Sequence, residues 1–209
     1  MIVYKTNNNP YKQNTFLYYD EQKKKGVVID PGWGSEEMAD FIEKNEIQIE
    51  KIFITHFHFD HIAQFHLFEK FTKETYSSSL EKEQLKDPNQ NGTNRYLKNP
   101  VSVTCKAYLN EGDFIKFLDT GFKVIITPGH SHGHICYYDE KNGILFSGDT
   151  LFKEGVGRTD LPFSSPVALE SSIQNKLYIL PDETICYPGH DDNKTTIGHE
   201  KKNNPYVKG

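Results

Sequence analysis

The chain has 209 residues, long enough for one ordinary domain whose core folds without disulfide staples, and its formal net charge is -5 at pH 7. That balance disfavours nucleic acid as a partner, and no stretch approaches the roughly 18 apolar residues needed to span a bilayer. Three widely spaced cysteines, Cys105, Cys136 and Cys186, with no CxxC pair, suit reduced thiols in the cytoplasm better than a disulfide framework.

Two β-rich stretches come first, "TFLYYD" (15 to 20) and "GVVID" (26 to 30), separated by the charged turn "EQKKK". After "PGWG", Met38, Phe41 and Ile42 fall at helical spacing, which predicts a helix over 35 to 45 with Ser35 as its N-cap and Glu36 and Glu37 in the first turn. "KIFIT" then reads as a buried strand. From His61 to about Lys73 the apolar spacing predicts a helix, and the polar stretch from Tyr76 to Pro100 predicts a short helix plus loop over the site. Beyond it, "DFIKFL", "FKVIIT", "HICYYD" and "GILFSGD" read as an antiparallel meander. A helix from about Pro166 to Leu180, the strand "TICY" and a short terminal helix in "TTIGHEKKNNPY" complete the chain.

The chemistry concentrates where strands end. "THFHFDH" (55 to 61) follows "KIFI", at the kind of strand terminus where α/β sheets place ligands. His56 and His58 are two apart, so on an extended strand end both rings point the same way; Asp60 and His61 follow on the next turn. Imidazole with carboxylate suits Zn(II), Fe(II) or Mn(II), and the lack of a neighbouring cysteine argues against a thiolate structural zinc site. Three later turns expose the same ligand types: "VIITPGH" at His130, "ILFSGDT" at Asp149 and "TICYPGH" at His190. In each Pro-Gly-His, proline ends the strand and glycine allows the tight turn that leaves histidine at the sheet edge.

"THFHFDH", "PGHSHGH", "SGDT" and "YPGH", together with "VVIDPG", "GVGRTDLP" and "TTIGHEKKNNPY", resemble the motifs of the metallo-β-lactamase superfamily, in particular its short glyoxalase II-like bacterial members. The resemblance implies an α/β fold of the four-layer αββα sandwich type, formed as a single domain over 1 to 209. It implies two divalent metal ions, zinc foremost with iron or manganese as alternatives. His56, His58 and His130 would hold one, Asp60, His61 and His190 the other, and Asp149 would bridge them. Asp30 would support the ligand loop from behind.

The implied reaction is attack of a hydroxide shared by the two ions on the carbonyl of a small-molecule thioester, such as a hydroxyacylglutathione-like compound. Asp60 and Asp149 would be the catalytic carboxylates. A thiolate leaving group of pKa ~8.5 needs little acid assistance, which favours a thioester over an amide. A persulfide dioxygenase-like mononuclear iron oxidoreductase, a lactonase and a non-catalytic metal-binding module are the competing readings.

The remaining histidines fall outside the ligand set: His66 reads as helix surface or pocket wall, His134 as a hydrogen-bonded turn or supporting residue, and His132 and His199 as solvent-exposed. Cys136 and Cys186 read as core, and Arg158 as either an anchor for an anionic substrate or a partner of Asp160. "IAQF" after the "DH" puts bulk where the family commonly has glycines. "DDNKTT" after the last "PGH" lacks the aromatic that helps glutathione-using members hold their substrate. Oligomeric state is not legible from these residues.

Overall fold

The computed structural model describes residues 1–209, and its chain divides into two compact units, one of residues 1–77 with 81–108 and the other of 78–80 with 109–209. The first unit holds β1 (Ile2–Thr6), β2 (Thr15–Asp20), β3 (Lys25–Ile29), α1 (Glu36–Lys44), β4 (Gln48–Phe53), α2 (Phe59–Ile62), α3 (Phe65–Phe68), β5 (Thr75–Ser78), α4 (Lys82–Lys86), α5 (Thr93–Tyr96) and β6 (Ala107–Leu109), except that the last residues of β5 and β6, Ser78 and Leu109, fall in the second. Its sheet runs in sequence order from β1 to β6; β1, β2 and β3 pair antiparallel, and β3, β4 and β5 pair parallel.

Burial explains these assignments. β2 and β3 are almost wholly buried runs of β-branched and aromatic residues, as central strands should be. α1 is the crossover between parallel β3 and β4. It buries Met38, Ala39 and Ile42 against the strands, and Phe41 stacks on Tyr4 of β1 with ring centroids 4.4 Å apart. Ser35 occupies the N-cap position but makes no capping bond; its Oγ donates to Gly32 O at 2.7 Å instead.

Two expectations for this unit change. The helix predicted over 61 to 73 is two short turns, α2 and α3, because Gln64 leaves helical geometry and is fastened elsewhere. Its N–H donates to Pro31 O at 3.1 Å, its Oε1 accepts from Ser35 N at 2.6 Å, and its Nε2 donates to Glu36. The bulk of "IAQF" therefore points inward: Ile62 and Phe65 join the unit's apolar core. The stretch 76 to 100 is also more ordered than predicted. It completes β5 and forms α4 and α5, with Asn91 Nδ2 donating to Leu85 O and Val101 O to pin the loop between them.

The second unit holds β7 (Phe114–Phe117), β8 (Thr120–Ile126), β9 (Ile135–Asp139), β10 (Ile144–Gly148), β11 (Leu151–Phe152), β12 (Gly155–Val156), α6 (Pro166–Ser172), β13 (Ile185–Pro188), β14 (Thr195–Thr196) and α7 (Ile197–Asn203). Its six-stranded sheet has the order β14-β13-β10-β9-β8-β7. The predicted meander β7 to β10 is antiparallel, and β13 joins β10 in parallel. α6 starts as predicted, with Pro166 in its first turn and Ser165 Oγ accepting from Ala168 N, and passes into a π-helical turn over Ile173–Leu177. Cys136 and Cys186 lie fully buried in this unit's core with Leu169, Ile173 and Leu177. No helix of the chain is long and apolar enough to cross a membrane.

Candidate metal centre

In the first unit the ligand-type side chains leave the end of β4. After β4 ends at Phe53 the chain bends at Thr55, His58 is the extended N-cap of α2, and Asp60 and His61 sit on that single helical turn. A ring nitrogen of His56 lies within 4.8 Å of one on His58 and of one on His61, and a carboxylate oxygen of Asp60 lies within 4.8 Å of His61. The His56 and His58 rings meet edge to face with centroids 4.7 Å apart, and the following turn adds a carboxylate and a third imidazole.

Asp30 decides which nitrogen these rings offer. It is buried, sits in left-handed backbone at φ +50°, and receives three hydrogen bonds: from Thr55 N at 2.7 Å, Thr55 Oγ1 at 2.7 Å and His61 Nδ1 at 2.9 Å. A carboxylate only accepts, so the Thr55 hydroxyl spends its one proton on Asp30. The 3.0 Å contact between Thr55 Oγ1 and His56 Nδ1 therefore has the ring as donor. Both His56 and His61 carry their proton on Nδ1, which leaves Nε2 with its lone pair. The His61 Nε2 faces Asp60 Oδ2 at 4.0 Å. Gly32 permits this packing, since a Cβ there would stand 2.1 Å from Asp60 O.

The second unit repeats the logic. His130 Nδ1 donates to Arg158 O at 2.9 Å, so its Nε2 lone pair faces Asp149 Oδ2 at 3.4 Å; His190 Nε2 approaches the same oxygen at 3.2 Å. In the neutral ring this tautomer leaves the Nε2 lone pair toward the carboxylate oxygen, where a divalent ion between them would satisfy both. This donor set fits divalent metal ions. Asp149 is steadied from behind: its N–H donates to His134 Nε2 at 3.0 Å, and His134 Nδ1 contacts Thr127 Oγ1 at 3.0 Å and Thr150 Oγ1 at 3.1 Å.

His134 is thus the supporting residue expected of it and no ligand, because its Nε2 already accepts a backbone proton. His66 is exposed on α3, as expected. His132 and His199 are less open than expected: His132 Nε2 contacts Leu80 O at 2.6 Å, and His199 Nε2 contacts Glu154 Oε1 at 2.9 Å. Arg158 forks onto Asp160 with two 2.7 Å bonds, so its contribution to the site is its backbone carbonyl. "GRTD" works through Gly157 as well, where a Cβ would stand 1.9 Å from Asp149 O.

Sequence reasoning missed two buried carboxylates. Glu81 accepts from Phe57 N at 3.0 Å and so braces the residue between His56 and His58. Glu200 accepts from Thr195 Oγ1 at 2.5 Å, Glu154 N at 2.9 Å and Asn204 Nδ2 at 2.9 Å, which gives "TTIGHEKKNNP" its structural meaning. Where no aromatic follows His190, Phe152 of β11 supplies a ring 6.1 Å away, beside a cavity of about 230 Å³ that Asp191 and Asp192 also line.

Imidazoles and carboxylates gathered at sheet ends, with tautomers fixed from behind, define a metal-binding α/β protein. The family model that matches is that of the metallo-β-lactamase superfamily, over residues 8–190. The chain belongs to that superfamily of hydrolases and has its fold. Hydroxyacylglutathione hydrolase GloC of Haemophilus influenzae is 34% identical over 94% of this chain and 93% of its own. Among solved structures, the BLEG-1 B3 metallo-β-lactamase has a TM-score of 0.91 at 33% identity with both chains fully covered. TTHA1623 in a di-iron-bound form has a TM-score of 0.83 at 32% identity, covering 98% of this chain and 100% of its own.

Proposed function

We propose that the chain is a dinuclear metallohydrolase that cleaves small-molecule acyl thioesters in the cytoplasm. By the family resemblance, His56, His58 and His130 would hold one ion, Asp60, His61 and His190 the second, and Asp149 would serve both. The observation that carries this reading is Asp149 Oδ2, which stands 3.4 Å from His130 Nε2 and 3.2 Å from His190 Nε2. One carboxylate oxygen beside two imidazoles proposed for different ions supports the reading of Asp149 as the shared ligand. GloC, by its name a hydroxyacylglutathione hydrolase, supports the substrate class.

When bound, such ions lower the pKa of water from ~15.7 toward neutrality and polarise a substrate carbonyl. Asp60, almost fully buried at the start of α2, is the carboxylate that accepts the nucleophile's hydrogen bond and aims it. Asp30 and Arg158 O hold the imidazole tautomers, so the ligand set is in place before substrate arrives. The departing thiolate, of pKa ~8.5, leaves without a proton donor. Zinc is the proposed metal; iron and manganese accept the same donors.

Elemental analysis of the protein as isolated, paired with a panel of thioesters and lactones, tests the reading. About two metal ions per chain with thioester cleavage is the expected result. A single iron with oxygen uptake on glutathione persulfide overturns it, as does a fully metallated protein that cleaves no thioester.

A further inference from the structure

The loop that carries Asp60 also carries an aromatic surface. Phe59, between His58 and Asp60, stacks on Tyr96 with ring centroids 4.2 Å apart and 21° between planes; Tyr11 meets Phe59 edge-on at 5.2 Å. Trp33 stands 5.9 Å from Tyr11 and 6.4 Å from Phe59, and its backbone N–H donates to Asp60 O at 2.9 Å. The cluster is open to solvent, with Tyr11 44% and Tyr96 43% exposed and the other two rings half-buried. Arg95, itself exposed, lays its guanidinium over the Tyr96 ring, 5.3 Å from the centroid, and brings a positive charge to the edge of the apolar surface.

The rings are held in place from inside the unit. Asn9 Oδ1 accepts from Tyr11 N at 3.1 Å and Gln13 N at 3.0 Å, and Asn9 Nδ2 donates to Gln13 O at 2.8 Å, which fixes the loop that presents Tyr11. Asn91 Oδ1 accepts from Thr93 N at 2.9 Å and so anchors the start of α5, which presents Tyr96. Pinned loops that leave two rings exposed and two half-buried gain little by burial, whereas a fixed, half-open aromatic face on the loop that carries Asp60 is what an apolar ligand fragment requires.

We propose that this wall is the acyl subsite of the enzyme: it takes a planar aromatic acyl group, and Arg95 meets a carboxylate carried on the thiol side of the same substrate. The proposal rests on the thioester hydrolase reading and deepens it. The chain would then prefer aryl-substituted acyl thioesters to small hydroxyacyl ones.

The test uses binding, so it stands apart from turnover. Trp33 is the chain's single tryptophan, and its emission reports directly on the wall. The metallated protein is titrated with S-phenacyl-N-acetylcysteine, a thioether ketone that cannot hydrolyse, and with its S-acetonyl counterpart, which lacks only the ring. The expected result is a Trp33 emission change at saturation and a phenacyl preference of roughly tenfold, reduced about fivefold in Tyr96→Ala, in line with an aromatic stacking contact. Tyr11→Ala, on a separate loop, shows a similar loss, so local disruption of α5 does not account for it; Arg95→Gln weakens both ligands alike. Equal binding of the two ligands overturns the proposal, as does a phenacyl preference that survives both tyrosine substitutions. Absence of thioesterase activity with this preference intact would overturn the hydrolase reading and leave the aryl site standing.

Discussion

Replacing Asp30 with asparagine removes one charge and almost no volume, and asparagine tolerates the left-handed backbone at φ +50°. Its effect follows from three donors and one lost acceptor. If the amide oxygen faces Thr55 Oγ1 and His61 Nδ1, the NH2 group opposes the Thr55 backbone N–H, and a buried donor without an acceptor costs about 1–3 kcal/mol. If the amide is flipped, NH2 faces His61 Nδ1 and the Thr55 hydroxyl. His61 then moves its proton to Nε2, and Thr55, turned to accept, donates to His56 Nδ1 and drives that ring to the same tautomer. Both rings would present N–H where a lone pair is needed. The flipped outcome predicts metal affinity about 10- to 100-fold weaker, the usual effect of losing a partner behind a ligand, and the unflipped one a loss of stability with the tautomers kept. Titration of apo-protein with zinc against a chromophoric chelator measures it, and kcat/KM at limiting metal should fall in parallel. An Asp30→Asn protein with native affinity, native turnover and native stability would refute the account of Asp30 as acceptor of three buried donors.

Asp149→Asn and His58→Ala should each abolish thioester cleavage while shifting the thermal midpoint little, since ligands at strand ends contribute to the site more than to the core; retained turnover of Asp149→Asn at full metal content counts against its role. Glu200→Gln should destabilise the fold by about 2–3 kcal/mol in urea melts, because one of its acceptor oxygens becomes a donor facing buried donors. Burial pushes the Cys105 thiol up from 9.0 to about 12, and that of Cys136 from 9.0 to about 11. A thiol whose pKa is higher folded than unfolded contributes its full stability below pH ~9 and loses it as pH climbs toward the folded value. The thermal midpoint should therefore hold to about pH 8.5 and decline above 9, and alkylating reagents should label the three cysteines only in denaturant.

Most of the scaffold was legible because its strands are locally encoded: "TFLYYD", "GVVID" and the meander runs are β-branched, aromatic and bounded by turn residues, and each forms a strand within a residue or two of the expected bounds. β1 was missed since Ile2–Thr6 is a partly open edge strand whose only marks are its pairing with β2 and the stacking of Tyr4 on Phe41, both distant in sequence. β5 is defined by pairing with β4 inside a polar stretch, so composition pointed to a loop. The predicted helix over 61 to 73 breaks at Gln64, whose partners Pro31, Ser35 and Glu36 lie some thirty residues back. Local periodicity carries no information about such bonds.

Spacing alone also leaves "PGHSHGH" ambiguous, because His130, His132 and His134 are equivalent as letters. Hydrogen bonding separates them. His130 spends Nδ1–H on the Arg158 carbonyl and turns Nε2 toward Asp149, whereas His134 spends Nε2 on the Asp149 amide and has Nδ1 against two threonine hydroxyls. The ring that keeps its outer lone pair is the proposed ligand, and the ring that gives it to the backbone is the support. His56 and His61 obey the same rule through Thr55 and Asp30. The ligand set is therefore written less in the histidines than in the acceptors behind them, and "IDPG" and "GVGR" matter to the site because they supply a carboxylate and a carbonyl at the two Nδ1 positions.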